Sequence, residues 1–329
     1  MGNPFIGRKD SVGVGIEAVP GTTVAPQAWQ RHLALSLDPN TTVIQNTSAM
    51  GRVEEVNDSA VTEQWVDGTI NGKVTSNTIG YFMLNMLGIV TPTLHSGETA
   101  VWDNLFTIDQ GNVPPSLTFA RSNPVIARRF GLGTQSDIEF SYKQNDWAQF
   151  TSTVMAKAGQ TSSETVAFIA NEPEFTSKHV TVKLAANVAG LSAASALQLK
   201  SLKFKISRKA DRFTPMGAID PVSFDNEDYS VTGSFVLRYT DHTLEDLGML
   251  NTTQALSIDL TNSDVTIGTA AHPQLTFTMP QVRLAPISLD DPLKQALSQT
   301  INFSCELNST LGYLIQGKLV NTQNGYAHA

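Results

Sequence analysis

Cysteine is almost missing from this 329-residue sequence: Cys305 stands alone. A single thiol closes no disulfide within the chain, so nothing ties the fold to an oxidising compartment. Cys305 lies in the alternating run Ile301-Asn302-Phe303-Ser304-Cys305-Glu306-Leu307 and reads as a buried, inert thiol. Charge is also sparse, at 16% of residues against 41% apolar. Basic charge is the scarcer kind, with 10 basic and 15 acidic side chains in residues 1–165, then 12 and 15 in residues 166–329, for a net charge of −8. Affinity for nucleic acid comes mostly from Lys and Arg, so a phosphate-gripping surface is not expected. An acidic surface does suit a protein that must face DNA without holding it. No apolar run approaches the roughly eighteen residues of a membrane-spanning helix. Met1-Gly2-Asn3-Pro4-Phe5-Ile6-Gly7-Arg8-Lys9 lacks the apolar run of a signal peptide, and Ile6 stands where a myristoylation pattern needs Ser or Thr. The expectation is a protein made and used in a cytoplasm.

Catalytic patterns are missing too. His32, His95, His179, His242, His272 and His328 form no His-Glu-x-x-His or similar ligand spacing. Asp241-His242 beside Glu245 and Asp246 reads as an exposed first helical turn with acids near its positive end, not as a metal site. Gly131-Leu132-Gly133 lacks the third glycine of a dinucleotide fingerprint. There is neither a Gly-x-Ser-x-Gly elbow nor a Gly-Lys-Thr/Ser phosphate loop. Trp29, Trp65, Trp102 and Trp147 are scattered, which favours packing or subunit interfaces over a sugar-stacking platform. No enzyme activity, cofactor or metal is expected.

What the sequence does hold is period-two alternation, the mark of half-buried strands. It runs through Leu33–Leu37, Gly68–Val74, Ile138–Tyr142, Phe150–Met155, Leu202–Ile206, Val231–Leu237, Leu256–Leu260, Leu275–Met279 and Tyr313–Leu319. Two segments read as helices of about three turns at most: Asn77–Gly88, with Asn77 or Thr78 as cap and Gly88 as terminator, and Asp241–Leu250, with Thr243 as cap. Helices this short must dock on a sheet to persist. Residues 1–30, rich in Gly, Pro, Val and Thr, read as an extended N-terminal arm that needs a partner surface.

The two halves share an order of features. Ile70–Val74 matches Val231–Phe235, a short helix follows each, Pro115–Phe119 matches Pro273–Phe277, and Ile138–Ser141 matches Ile301–Ser304. Near-constant offsets suggest a duplicated unit, 31–165 and 166–329, with a polar break near Gln160–Pro173; two unrelated β domains are the alternative. Each unit opens on a hairpin-like stretch of low hydrophobicity. Glu54, Glu55, Asp58, Glu63 and Asp67 crowd the first, Asp38–Asp67, and Asp211, Asp220, Asp225, Glu227 and Asp228 the second, Arg208–Asp228. A solvated loop explains such charge runs as well as a functional surface does.

Gly15-Ile16-Glu17, followed by Pro20-Gly21-Thr22-Thr23-Val24-Ala25-Pro26, resembles the start of siphovirus-type bacteriophage tail tube proteins. The run Gly72–Gly88 is similar to the same family, as are Tyr229–Phe235 and Leu275–Leu284. The resemblance implies a mainly β protein: two tandem tail-tube-type β-sandwich or barrel units, each flanked by a short α-helix. It implies rings whose inner sheets join into one barrel, trimeric with pseudo-sixfold symmetry for a two-unit chain and hexameric otherwise. The rings stack into a tube that conducts DNA to the host, with a long loop and a terminal arm contacting the next ring. Other tail proteins (terminator, tape measure, distal tail) are the implied partners, and the virion tail, assembled in the bacterial host cytoplasm, the implied location.

Glu54, Glu55, Asp58, Glu63, Asp225, Glu227 and Asp228 are then the candidates for lining the lumen or lying between rings. The competing reading is a two-domain β-sandwich that recognises carbohydrate or a cell surface. Another tail component, such as a terminator, would differ in stopping after one ring.

Overall fold

Ile138, Phe140 and Tyr142 are buried while Glu139, Ser141 and Lys143 between them are not. The same alternation sorts Gln149–Ala156, where Phe150, Ser152, Val154 and Ala156 turn inward. A strand that buries every second residue gives a sheet one apolar and one polar face. The computed structural model describes residues 5–286, 288–290 and 296–327; Met1–Pro4 of the expected arm and His328 lie outside them. Among the described residues the chain is mainly β, with two α-helices, α1 (Ile79–Leu87) and α2 (Thr243–Met249).

One antiparallel sheet runs through both halves. Its order is His32–Asn46, Asp58–Lys73, Gln149–Ala156, Ala127–Lys143, Leu199–Ser207, Ser230–Arg238, Ser298–Cys305, then the end of Gln274–Leu284 continuing into Ser288–Asp290. The halves meet inside it. Lys143 to Asp137 pair with Ser201 to Ser207, the ladder extended at its ends by Arg208 N–H to Ser136 O and Gln144 N–H to Lys200 O.

The N-terminal half of Ala127–Lys143 leaves this sheet and pairs with Leu117–Ser122 and Gln160–Ser162, and Ser11–Ile16 and Ala28–Gln30 complete that outer layer. Gln274–Leu284 does the same in the second half, pairing with Gln254–Thr261 and Gln316–Asn321, with Val180–Ala185 beyond. The first half also lends the second a hairpin, Gly88–Leu94 and Trp102–Ile108, which pairs with Gln316–Asn321.

Between the layers lies a single apolar cluster that ignores the boundary between halves. Phe140 and Phe204 stack at 5.1 Å across the junction, and Phe277 lies 4.9 Å from each. Each such ring, fully buried, is worth about 1.5–3 kcal/mol.

Three sequence expectations change. Residues 11–16, read as part of an arm, form a strand buried throughout, with Val12, Val14 and Ile16 fully covered. Its partner surface is its own chain: Ser11–Ile16 pairs in register with Ser122–Leu117. Phe5 and Ile6 before it stay exposed, as does Val19 in the turn that follows.

The repeat aligns differently as well. Strand partners do not favour the match of Gly72 to Gly233: it is Gly68 that, like Gly233, lies between a preceding strand (opposite Leu37 or Phe204) and a later one (opposite Val154 or Phe303). Pro115–Phe119 and Ile138–Ser141 fall on strands whose partners differ from those of their sequence matches.

The caps also differ. The Thr78 side chain does not cap α1; the Glu172 carboxylate, from the connection between halves, accepts from Asn77 N (2.9 Å) and Thr78 N (2.7 Å) at the positive helix end. Gly88 does end α1, at φ +98°. In α2, Thr243 is the first helical residue, and Asp241 accepts from its N–H at 2.9 Å.

Candidate assembly surfaces

The polar face of the long sheet is not uniformly acidic. In register across the strands, Asp38 lies opposite Asp67, and Ser36, Thr69, Thr153, Asp137 and Ser207 form the next row. Then come Asn71, Thr151, Glu139, Lys205 and Thr232, and after them Lys73, Gln149, Ser141, Lys203 and Ser234. Lys143 and Arg238 lie farther on still. Carboxylates therefore gather at one end of the strands and ammonium groups at the other. Some are tied, as Lys205 to Asp137 at 3.0 Å and Lys73 to Glu174 at 2.9 Å. A groove of 710 Å³ on this face is lined by Glu139, Lys203, Lys205 and Arg283 among others, and it is wide open.

Two hairpins extend from the acidic end. His32–Asn46 and Asp58–Lys73 outrun their neighbour: Gln149–Ala156 pairs only from Val66 onward, so among the described residues Asn40–Asn46 is the one strand laddered to Asp58–Trp65. At about 3.3 Å per residue, those eight residues carry the hairpin roughly 26 Å past the body. It bears exposed Val43, Ile44, Met50, Val53 and Val61. In the second half, Ala210–Phe213 pairs with Ser223–Asn226, around exposed Met216 and Ile219. The hairpins touch. Gln64 N–H donates to Ile219 O at 2.7 Å, Arg212 Nε to Glu63 Oε1 at 2.9 Å and Thr214 Oγ1 to the same oxygen at 2.7 Å. The Arg212 guanidinium also stacks over Trp65, 3.7 Å from the ring centroid. The hydroxyl of Thr214, then Arg212, holds the Glu63 carboxyl below its ordinary range.

The acidic residues singled out in the sequence all fall on these hairpins or at their bases. Glu54 and Glu55 are exposed at the first tip, and Asp58 starts the returning strand opposite Asn46. Asp225 lies opposite Asp211 and accepts from Ser223 Oγ at 3.1 Å, Glu227 lies 3.5 Å from Lys209 Nζ, and Asp228 is exposed beside it. None stands on the paired rows of the sheet face. The carboxylates there, Asp38, Asp67, Asp137 and Glu139, were missed as site residues. The signal was available, because Asp137 and Glu139 alternate with Ile138 and Phe140.

Among the described residues the long sheet ends on two strands with one neighbour each, His32–Asn46 at one border and Ser288–Asp290 at the other. Such borders template pairing with another chain. Cys305, near the second, is no reactive site: burial pushes its thiol up to about 12. No helix among the described residues is long and apolar enough to cross a membrane.

A two-layered β protein with open sheet borders and projecting apolar hairpins has the surfaces of a self-assembling structural subunit. The family model described as Phage tail tube protein matches residues 7–305, and the chain belongs to that family. It is a structural subunit of a phage tail tube, a component of the virion tail. No curated protein matches the sequence.

Proposed function

We propose that three copies close into a ring of pseudo-sixfold symmetry, each contributing its long sheet to one barrel. The observation that carries this is the junction between halves. Lys143–Asp137 and Ser201–Ser207 form an ordinary antiparallel ladder, so the chain already contains one instance of unit-to-unit pairing and keeps the two borders for the next. Shared strand connectivity supports reading the halves as tandem copies of one unit. A heterologous contact that closes under rotation gives a ring, and closure leaves no unpaired border.

In this arrangement the polar face lines a lumen that passes DNA during ejection in a siphovirus-type tail. Carboxylates facing phosphates oppose adhesion, with a strength limited by salt screening. The seven acidic residues on the hairpins serve between rings rather than along the barrel wall. The hairpins project at the acidic end, and stacking brings them to the basic end of the next ring, where Lys143, Lys203 and Arg238 stand. Contact with terminator, tape-measure and distal tail proteins belongs to the two ends of the tube, and assembly to the host cytoplasm.

Electron microscopy of the concentrated protein tests the reading. Stacked or single rings with three copies each support it, and separate particles of one chain oppose it.

A further inference from the structure

We infer that the ring-closing contact has one strand register, in which Ser36, Leu37 and Asp38 of one copy pair antiparallel with Asp290, Leu289 and Ser288 of the next. The inference rests on the ring reading above and adds to it which residues meet.

Ladders within the chain can be superposed. Gly68 and Gly233 hold the same place, and a Cβ on either would press on the carbonyl oxygen of Ser36 or Lys203 on the preceding strand. Working outward from that anchor, Leu37 corresponds to Phe204, as both lie opposite the glycine, and Ser36 and Asp38 correspond to Lys203 and Lys205. In the other direction, Val154 corresponds to Phe303, and Thr151, Phe150 and Gln149 correspond to Thr300, Gln299 and Ser298. Their partners, Glu139, Phe140 and Ser141, correspond to Ser288, Leu289 and Asp290.

Burial agrees at the positions that anchor the match. Leu37 and Phe204, Val66 and Val231, Ile70 and Phe235, and Val154 and Phe303 are all buried. Because a slip of one residue turns every side chain to the other face, that agreement fixes the register to within a two-residue step. At the internal junction, Glu139, Phe140 and Ser141 pair with Lys205, Phe204 and Lys203. Replacing each residue by its counterpart gives Ser288 opposite Asp38, Leu289 opposite Leu37 and Asp290 opposite Ser36. The backbone of this border is available. Among the described residues Ser288–Asp290 pairs only with Thr300–Ser298, and the Leu37 carbonyl, which accepts from Arg121 Nη1 at 3.2 Å, keeps a second lone pair.

The test is disulfide trapping in the full-length chain on a Cys305→Ser background. Two pairs lie on register, Asp38→Cys with Ser288→Cys and Ser36→Cys with Asp290→Cys. One pair is slipped by two residues, Asp38→Cys with Asp290→Cys. Each sample is oxidised mildly, run on a denaturing gel and imaged in parallel by electron microscopy. Either on-register pair should give a ladder that ends at the linked trimer, with at least tenfold more product than the slipped pair. Rings that link only through the slipped pair, or through none, overturn the register and leave the ring standing. Absence of both rings and links overturns the ring reading and the register together.

Discussion

Gly68 and Gly233 each lie between two strands of the long sheet and are pressed against the preceding one: a Cβ would collide with the Ser36 carbonyl oxygen in one half and lie 2.6 Å from that of Lys203 in the other. Neither glycine is needed for a left-handed backbone; both are needed for close approach. Gly68→Ala and Gly233→Ala should each destabilise the chain by about 1–3 kcal/mol, the usual cost of overpacking. Gly7→Ala, where a Cβ meets nothing within 4 Å, should be close to neutral. Urea unfolding of the three variants checks this, and equal midpoints would contradict it.

Arg208 is fully buried and spans the halves. Its Nη1 donates to Asn85 O at 2.8 Å, at the carbonyl end of α1, and its Nη2 to Thr134 Oγ1 and Gln135 O. The cation lies where a helix dipole favours positive charge, though burial lowers its pKa. Removing it orphans several buried acceptors, at about 1–3 kcal/mol each. Arg208→Ala should therefore cost several times the effect of an ordinary surface change, and Arg208→Lys should not rescue it, because one ammonium cannot reach both groups. A chemical denaturation series decides.

Glu98 fastens the lent hairpin to the second half, accepting from Thr269 N and Ala270 N at 2.7 Å and Ala271 N at 3.1 Å. The Thr269 N–H, then that of Ala270, holds its carboxyl below the ordinary 4.5. A lowered folded-state value means that the contribution is complete above the ordinary value and is lost as pH falls through the lowered one. The gap in melting temperature between the parent and Glu98→Gln should be widest above pH 4.5 and shrink toward acid. A gap independent of pH would contradict this.

The Glu63–Arg212 tie joins two hairpins at the surface, where ion pairs contribute about 0–1 kcal/mol. Arg212→Ala should leave global stability within that range, yet hasten proteolytic nicking at residues 47–57 by several-fold. Unchanged nicking would separate the hairpins mechanically.

Reversing Glu54, Glu55 and Asp58 to Lys should leave single rings intact and shorten or abolish stacks, as micrographs would show. Full-length tubes with slowed genome ejection would move these residues to the lumen instead.

Much of the sheet was legible because alternation speaks plainly where one face is wet. The strand around Ile138–Tyr142 shows itself that way, and the two helices through their end signals, such as Gly88. Ser11–Ile16 was not: it is buried on both faces, and Gly13 and Gly15 let Pro26 and Ala25 crowd in, so its pattern looks like a loose arm. The hairpin Gly88–Leu94 with Trp102–Ile108 was hidden by Pro92, which a border strand tolerates. The match of Ile138–Ser141 to Ile301–Ser304 rests on an apolar-x-apolar pattern that any half-buried strand carries, and the two fall on strands with different partners. The acidic clusters were visible as charge runs, whereas the polarity of the sheet face emerges only once register brings distant strands side by side.

A reconstruction of assembled tubes at side-chain resolution tests the central claim most directly. The account requires three chains per ring and unbroken strand pairing across every chain boundary, with Ser36–Asp38 bonded to the neighbour's border strand. Six chains per ring, or borders left facing solvent, would contradict it.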